Sequence, residues 1–261
     1  MTEYILRHGN SDGIPFLTCS KNDKKQKKVI FLFHRLLQSK EYELPIAYNL
    51  AGEGYYVVLL DFRGHGEREN SFRISRKYNF NYLFDDIAGM VSDTRAVART
   101  LQRDDENCPD IESFGVAGVS VGGMAALVAA SQMKEVKFAV SVISGANWWP
   151  LVESGSFNSF RFFSTDRPVM SPERVRGAVE EYDPYFNVDR LNGKPILLAN
   201  GAMDMAIPIK TVEPFYERLK SNYQGKNLSE RVVWNKYSNC GHEVTPWMIQ
   251  DILKWLKEWG H

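Results

Sequence analysis

Short apolar runs alternate along the chain with stretches of helical apolar spacing, and this rhythm predicts the elements. Residues 29–33, 55–60, 114–119, 138–143 and 195–200 are nearly unbroken apolar, β-rich segments. Such runs suit strands buried on both faces of a parallel sheet, because a strand with one wet face would alternate apolar and polar positions. Residues 231–237 supply one more strand. Between them, 41–52, 83–101, 209–220 and 245–259 read as helices from their apolar spacing, and 124–133 reads as a small-residue helix. In the first of these, Leu44, Ala47, Tyr48 and Leu50 share a face, and Pro45 sits in the first turn, where its missing N–H does no harm. Ahead of this series, 4–7 and 14–20 read as a hairpin turning at Asn10-Ser11-Asp12-Gly13. Strands alternating with helices imply an α/β fold, a mostly parallel sheet flanked by helices on both faces.

The rhythm breaks once, over 145–190. This stretch holds Trp148-Trp149, a Phe-rich run over 157–163, Pro168, Pro172 and a short helical pattern at 172–182. A long excursion between strands reads as a lid or substrate-binding insertion, and its aromatic content speaks against disorder. The expected organisation is a core of residues 1–144 and 191–261 with a helical cap at 145–190.

Composition narrows the function classes. Of 261 residues, 44% are hydrophobic and 25% charged, as in an ordinary soluble domain. With 32 basic and 32 acidic side chains the formal net charge is zero, which argues against a nucleic-acid or anionic-membrane partner. The one basic run, Lys21-Asn-Asp-Lys-Lys-Gln-Lys-Lys28, lacks interleaved aromatics and reads as a solvated loop. Cys19, Cys108 and Cys240 are odd in number and widely spaced, so a disulfide framework is not expected. With no apolar signal-like start and no membrane-length run, a cytoplasmic location is expected. The five histidines show no ligand spacing and no G-x-G-x-x-G follows the first buried strand, so neither a metal nor a cofactor is expected.

The chemistry gathers around Gly118-Val-Ser120-Val-Gly122. Ser120 lies between a predicted strand and a predicted helix, the setting in which G-x-S-x-G lifts a nucleophilic serine above a sheet edge. Side chains two positions to either side would collide with so sharp a turn, hence the glycines. The Val121 N–H then becomes a candidate oxyanion donor. Taken alone, the motif equally fits a tightly packed helix start. Its partners lie downstream. The strand 195–200 exits into Gly201-Ala-Met-Asp204, and the strand 231–237 into Ser238-Asn-Cys-Gly241-His242. A serine hydroxyl needs a base within reach, and the base needs a carboxylate to fix its tautomer and stabilise its cation. Asp204 and His242 follow Ser120 in the order Ser…Asp…His, each beyond the carboxyl end of a strand, where open sheets bind ligands. Asp183 and Asp189 are competing candidates for the acid.

On these residues the chain resembles the α/β-hydrolase superfamily over nearly its whole length. The matching stretches are Gly118-Val-Ser-Val-Gly122, Asp61-Phe-Arg-Gly-His-Gly66, Gly201-Ala-Met-Asp-Met-Ala-Ile-Pro208 and Gly241-His-Glu243. Within it, His65-Gly-Glu-Arg68 and Gly241-His-Glu-Val-Thr-Pro246 are similar to small bacterial esterases of the dienelactone-hydrolase and prolyl-oligopeptidase-like branch. The resemblance implies a catalytic triad of Ser120, Asp204 and His242 and a structural role for His65. It also implies a second oxyanion donor at the Leu36 N–H. Here the chain departs from the pattern. The family usually has His-Gly after its first buried parallel strand, whereas this sequence reads His34-Arg35-Leu36. Arg35 either projects into the pocket and favours carboxylate-bearing substrates, or faces solvent beside a slightly shifted loop. The solvent-facing orientation is the expected one. Trp148 and Trp149 are either cap core or an apolar substrate-binding wall. Cys240, two residues before His242, reads as a passive neighbour.

The expected function is hydrolysis of small-molecule carboxylic esters through an acyl-enzyme, without a cofactor. Two other readings stand beside it: cleavage of small peptides, and ligand binding on a hydrolase scaffold made idle by the His34-Arg35 change.

Overall fold

The computed structural model describes residues 3–23, 28–68, 80–104, 109, 111–153 and 172–260. Among the described residues, eight strands form one sheet: β1 (Tyr4–Ser11), β2 (Ile14–Lys21), β3 (Lys28–Phe33), β4 (Tyr55–Leu60), β5 (Phe114–Val119), β6 (Val136–Val142), β7 (Ile196–Gly201) and β8 (Val232–Tyr237). Their spatial order is β1-β2-β4-β3-β5-β6-β7-β8. The β1/β2 hairpin joins β4 antiparallel, and every pair from β4 to β8 is parallel. The expected α/β fold with a mostly parallel, helix-flanked sheet is the observed one.

Burial follows the pattern of the strands. β4 and β5 are buried at every position, as their unbroken apolar runs require, whereas the edge strand β1 alternates exposed and half-buried residues. Two cores sandwich the sheet. Phe31, Phe33, Tyr56 and Val58 point to one face with α2 (Phe80–Asp104), α3 (Val121–Gln132) and α6 (Ile209–Gln224). Ile30, Leu32, Val57 and Leu59 point to the other, with α1 (Leu44–Gly52) and α7 (Pro246–Trp259).

The differences from expectation lie at element ends. Residues 41–43 belong to a 3₁₀ turn, Lys40–Glu43, because Pro45 favours the first turn of the α-helix that follows. α6 continues to Gln224, through Pro214, and α7 starts one residue late because the Thr245 hydroxyl caps it by accepting from the Met248 N–H at 3.3 Å. Of the 145–190 insertion, α4 (Trp149–Glu153), α5 (Pro172–Tyr182) and the turn Val188–Leu191 are described. The Phe-rich run 157–163, Cys108 and residues 69–79 lie outside the described residues, as do 24–27 of the basic run.

Candidate active site

The parallel strands deliver the candidate residues from their carboxyl ends: Leu36 follows β3, Ser120 and Val121 follow β5, Trp149 follows β6, Asp204 follows β7 and His242 follows β8. Ser120 follows β5 directly and caps α3, with φ 55° and ψ −120°. That positive φ is uncommon for a residue with a β-carbon and signals a backbone held under strain by its surroundings. The neighbouring glycines make the turn possible. A β-carbon on Gly118 would sit 2.0 Å from the Gly122 carbonyl oxygen, and one on Gly122 would sit 2.2 Å from that of Phe33. The Ser120 N–H donates to the Val142 carbonyl at 2.9 Å, fastening the turn to β6. As first residue of α3, Val121 has an N–H with no intrahelical acceptor, at the positive end of the helix dipole.

The loops after β7 and β8 are joined to each other. The Ala202 N–H donates to the Tyr237 carbonyl and the Met203 N–H to that of Cys240, both at 2.9 Å. This seats Asp204 beside His242. Asp204 is buried, and its Oδ1 accepts from the Ala206 and Ile207 N–H groups at 2.8 and 2.9 Å. Its Oδ2 lies 2.8 Å from His242 Nδ1, and His242 Nε2 lies 2.9 Å from Ser120 Oγ. A carboxylate only accepts, so Nδ1 carries the proton and Nε2 is left to accept from the serine hydroxyl. The three side chains thus form one continuous hydrogen-bonded line, the arrangement that can deprotonate a serine and store its proton.

The competing acids are engaged elsewhere. Asp183 is buried at the root of the insertion and accepts from the N–H groups of Asn147, Trp148 and Tyr185 at 2.9, 2.5 and 3.0 Å. Burial pushes its carboxyl up to about 6 against the pull of those donors. Asp189 accepts from Asn222 on an exposed face. Cys240 is buried, which raises its thiol away from reactivity. His65 is buried with Nδ1 donating to the Arg63 carbonyl at 3.1 Å, a structural contact. Trp148 is core: it is 1% exposed, stacks on Phe84 at 5.8 Å and donates Nε1–H to the Gly145 carbonyl. Trp149 is half-buried, with the Arg176 guanidinium 4.8 Å over its ring.

The Arg35 side chain is 23% exposed and is held by a neighbouring acid. Its guanidinium forms a two-point pair with Glu43, Nε to Oε1 at 2.9 Å and a terminal nitrogen to Oε2 at 3.2 Å, and lies 4.7 Å over the Tyr42 ring. Neither orientation weighed from the sequence included Glu43, which is 1% exposed and unreadable as buried from Lys40-Glu-Tyr-Glu43. The same stretch hides a second ionic centre. The buried Lys40 ammonium meets the buried Asp61 carboxylate at 2.8 Å and the partly exposed Glu67 at 2.5 Å. Nothing in the sequence marks these charges as interior. The Leu36 residue between the two centres is half-buried.

A cleft of about 330 Å³ lies at the opposite end of the sheet, beside Lys28, Tyr55 and Lys257. It holds none of this chemistry.

A family model described as the prolyl oligopeptidase family matches residues 42–260. The chain belongs to the prolyl oligopeptidase family. It is therefore a hydrolase of a serine-hydrolase family within the α/β-hydrolase superfamily, as the sequence motifs implied. Among curated proteins, one of Bacillus subtilis (strain 168), named "Putative esterase YitV", is 25% identical over 248 residues, covering 94% of this chain and 95% of that one. Among solved structures, TT1662 from Thermus thermophilus superimposes with a TM-score of 0.73 at 21% identity, over 98% of both chains. The Pyrococcus furiosus esterase Pf2001 does so with 0.66 at 20% identity, over 99% of this chain and 93% of the other. The two structures share the fold. Among the described residues, no helix is long and apolar enough to cross a membrane.

Proposed function

We propose that this member of the prolyl oligopeptidase family hydrolyses small carboxylic esters through an acyl-enzyme on Ser120. The observation that carries the reading is the line Ser120 Oγ–His242–Asp204, closed at 2.9 and 2.8 Å and mounted on a strained strand-to-helix turn. In the first step Ser120 Oγ attacks the ester carbonyl carbon while His242 Nε2 takes the hydroxyl proton. Asp204, held by two backbone N–H groups, stabilises the imidazolium it faces. The carbonyl electrons move onto oxygen, where the Val121 and Leu36 N–H groups serve as donors. Collapse expels the alcohol, which leaves with the proton from His242. A water then attacks the acyl carbon, His242 takes its proton and returns it to Ser120 Oγ, and the carboxylic acid departs. No cofactor enters the scheme. Because Arg35 is paired with Glu43, its charge is held away from the substrate, and in this reading neutral esters are the class that fits. In this reading residues 145–190 form a cap beside the site, with Trp149 nearer the substrate than the core residue Trp148.

The esterase name of the Bacillus subtilis relative favours ester over amide cleavage, and the family's own name keeps small-peptide cleavage as the second reading. The experiment is a panel of chromogenic esters and amides of graded acyl length, with wild type and Ser120→Ala. Ester turnover that falls about 10⁴–10⁶-fold in kcat in the alanine variant is expected. A variant keeping a tenth of wild-type activity removes Ser120 from the mechanism, and turnover of amides alone favours the peptidase reading.

A further inference from the structure

We infer that Glu43 is a positioning and specificity residue: it holds Arg35 so that the Leu36 N–H is fixed as an oxyanion donor and the arginine charge is kept from the substrate. The inference rests on the Ser120 hydrolase reading and deepens it.

The argument starts from one peptide plane. The Arg35 carbonyl and the Leu36 N–H belong to the same planar trans unit and point in opposite directions. Whatever fixes the carbonyl therefore fixes the donor. Two groups do so: His34 Nδ1–H donates to the Arg35 carbonyl at 2.7 Å, and the Gln38 N–H at 3.3 Å. The proton must sit on Nδ1, because His34 Nε2 accepts from the Phe62 N–H at 3.0 Å. One bond upstream, Glu43 grips Arg35 at three points, the guanidinium twice and the backbone N–H through Oε1 at 3.4 Å. One bond downstream, Leu37 adopts φ 62°, so the loop carries backbone strain that its neighbours must hold. The segment also lies against the serine turn, since a β-carbon on Gly122 would meet the Phe33 and His34 carbonyl oxygens at 2.2 and 2.6 Å.

Where the family has glycine, this chain has a long cation. Left unpaired beside the site, Arg35 would both reach toward acidic substrates and drag its own backbone. A carboxylate buried to 1% exposure, eight residues downstream, meets it with the planar two-point geometry that guanidinium favours. Glu43 thereby does through a side chain what a glycine does by default: it leaves the donor peptide free to face the oxyanion.

The test uses Glu43→Gln, Glu43→Asp and the double variant Arg35→Gly with Glu43→Gln. Rates are normalised to sites titrated with a fluorophosphonate, which labels Ser120 and so counts folded, reactive enzyme. The expected result for Glu43→Gln is a kcat per labelled site about tenfold lower on a neutral ester with KM little changed. The ratio of kcat/KM for an acid-bearing over a neutral ester of equal size is expected to rise at least fivefold. The double variant should recover kcat to within about threefold and lose the altered ratio. Glu43→Asp keeps the charge but shortens the reach, and should lower kcat without moving the ratio, which keeps the test open if Glu43→Gln folds poorly. An unchanged kcat per site and an unchanged ratio in both single variants overturn the inference, as does a double variant no better than Glu43→Gln. Absence of labelling in wild type, or activity kept by Ser120→Ala, sinks instead the hydrolase reading beneath it.

Discussion

The strand exits on the two sides of β5 are held by different physics. On one side, the loops after β7 and β8 place Asp204 and His242 with hydrogen bonds between neutral backbone groups and one carboxylate, next to a turn whose glycines leave no alternative. On the other, the loop after β3 and the loop after β4 are locked by ion pairs that each have at least one buried member: Arg35 on buried Glu43, buried Lys40 on buried Asp61 and exposed Glu67, and Arg63 and Arg68 on buried Asp93. The first side carries the candidate proton-transfer line and the second the loop of the proposed Leu36 donor. The difference teaches how each side tolerates change. A backbone-held site loses function when one reacting atom is altered, whereas a charge-held loop loses stability or alignment when one partner of a pair is removed.

The sharpest way to break the contrast is at Asp204. Asp204→Asn replaces an acceptor that faces Nδ1–H with an amide that can hold the wrong tautomer, while its backbone partners still support the turn. A fall in kcat of about 10⁴-fold with a nearly unchanged melting temperature is expected. Asp183→Asn provides the control: its carboxylate binds Asn147, Trp148 and Tyr185, so it should lower stability and leave kcat within about tenfold. If the two variants exchange these outcomes, the acid of the site is Asp183 and the proton line is misassigned.

The same division governs what could be read from the sequence. The sheet was legible because unbroken apolar runs such as Tyr55–Leu60 have one good home, a strand covered on both faces. Ser120 stood out because it sits directly after such a run, and Asp204 and His242 because each follows a predicted strand within a short loop at the same end of the sheet. Glu43, Lys40 and Asp61 gave no such sign. A buried Lys40 looks in sequence like any solvated lysine, and its partner Asp61 is 21 positions away, brought near only by the parallel pairing of β3 and β4. Arg35 was noticed as a departure, yet its orientation depended on Glu43 across the start of a 3₁₀ turn that apolar spacing does not reveal.

Lys40→Met tests the charge-held side by stability. It leaves the Asp61 carboxylate buried, with the Lys40 and Glu67 N–H groups as remaining donors at 2.7 and 3.1 Å. Breaking one partner of a buried pair costs about 3–5 kcal/mol, and urea unfolding should read a loss of that order. The double variant Lys40→Met with Asp61→Asn should recover part of it, because the stranded charge is gone. A Lys40→Met protein as stable as wild type would mean that the pair contributes no more than a surface contact does, and the contrast between the two sides would collapse.

His34 gives the smallest effect and the finest test, because it joins both kinds of support. Its ring is fully buried, accepts from the Phe62 N–H and donates to the Arg35 carbonyl, so only the neutral Nδ1–H form fits. Burial pulls its pKa from 6.5 down to about 3, with the neighbouring His65 and Lys40 adding to the fall against the Arg35 carbonyl and Glu41. Between those two values the unfolded chain binds a proton that the folded chain refuses. Stability from this residue is therefore complete above about pH 6.5 and declines as pH falls toward 3, by up to about 1.4 kcal/mol per pH unit. Asp183 works in the opposite sense between about pH 4 and 6, because its raised carboxyl keeps a proton that the unfolded chain releases. Comparing wild type with His34→Asn cancels that contribution, which both proteins share. Unfolding free energies at pH 7 and pH 5 should fall by about 1–2 kcal/mol more in wild type than in His34→Asn. Equal losses would mean that His34 accepts a proton inside the folded protein. The Phe62 N–H would then lose its acceptor, and the peptide plane of Leu36 would no longer be held as the hydrogen bonds around it require.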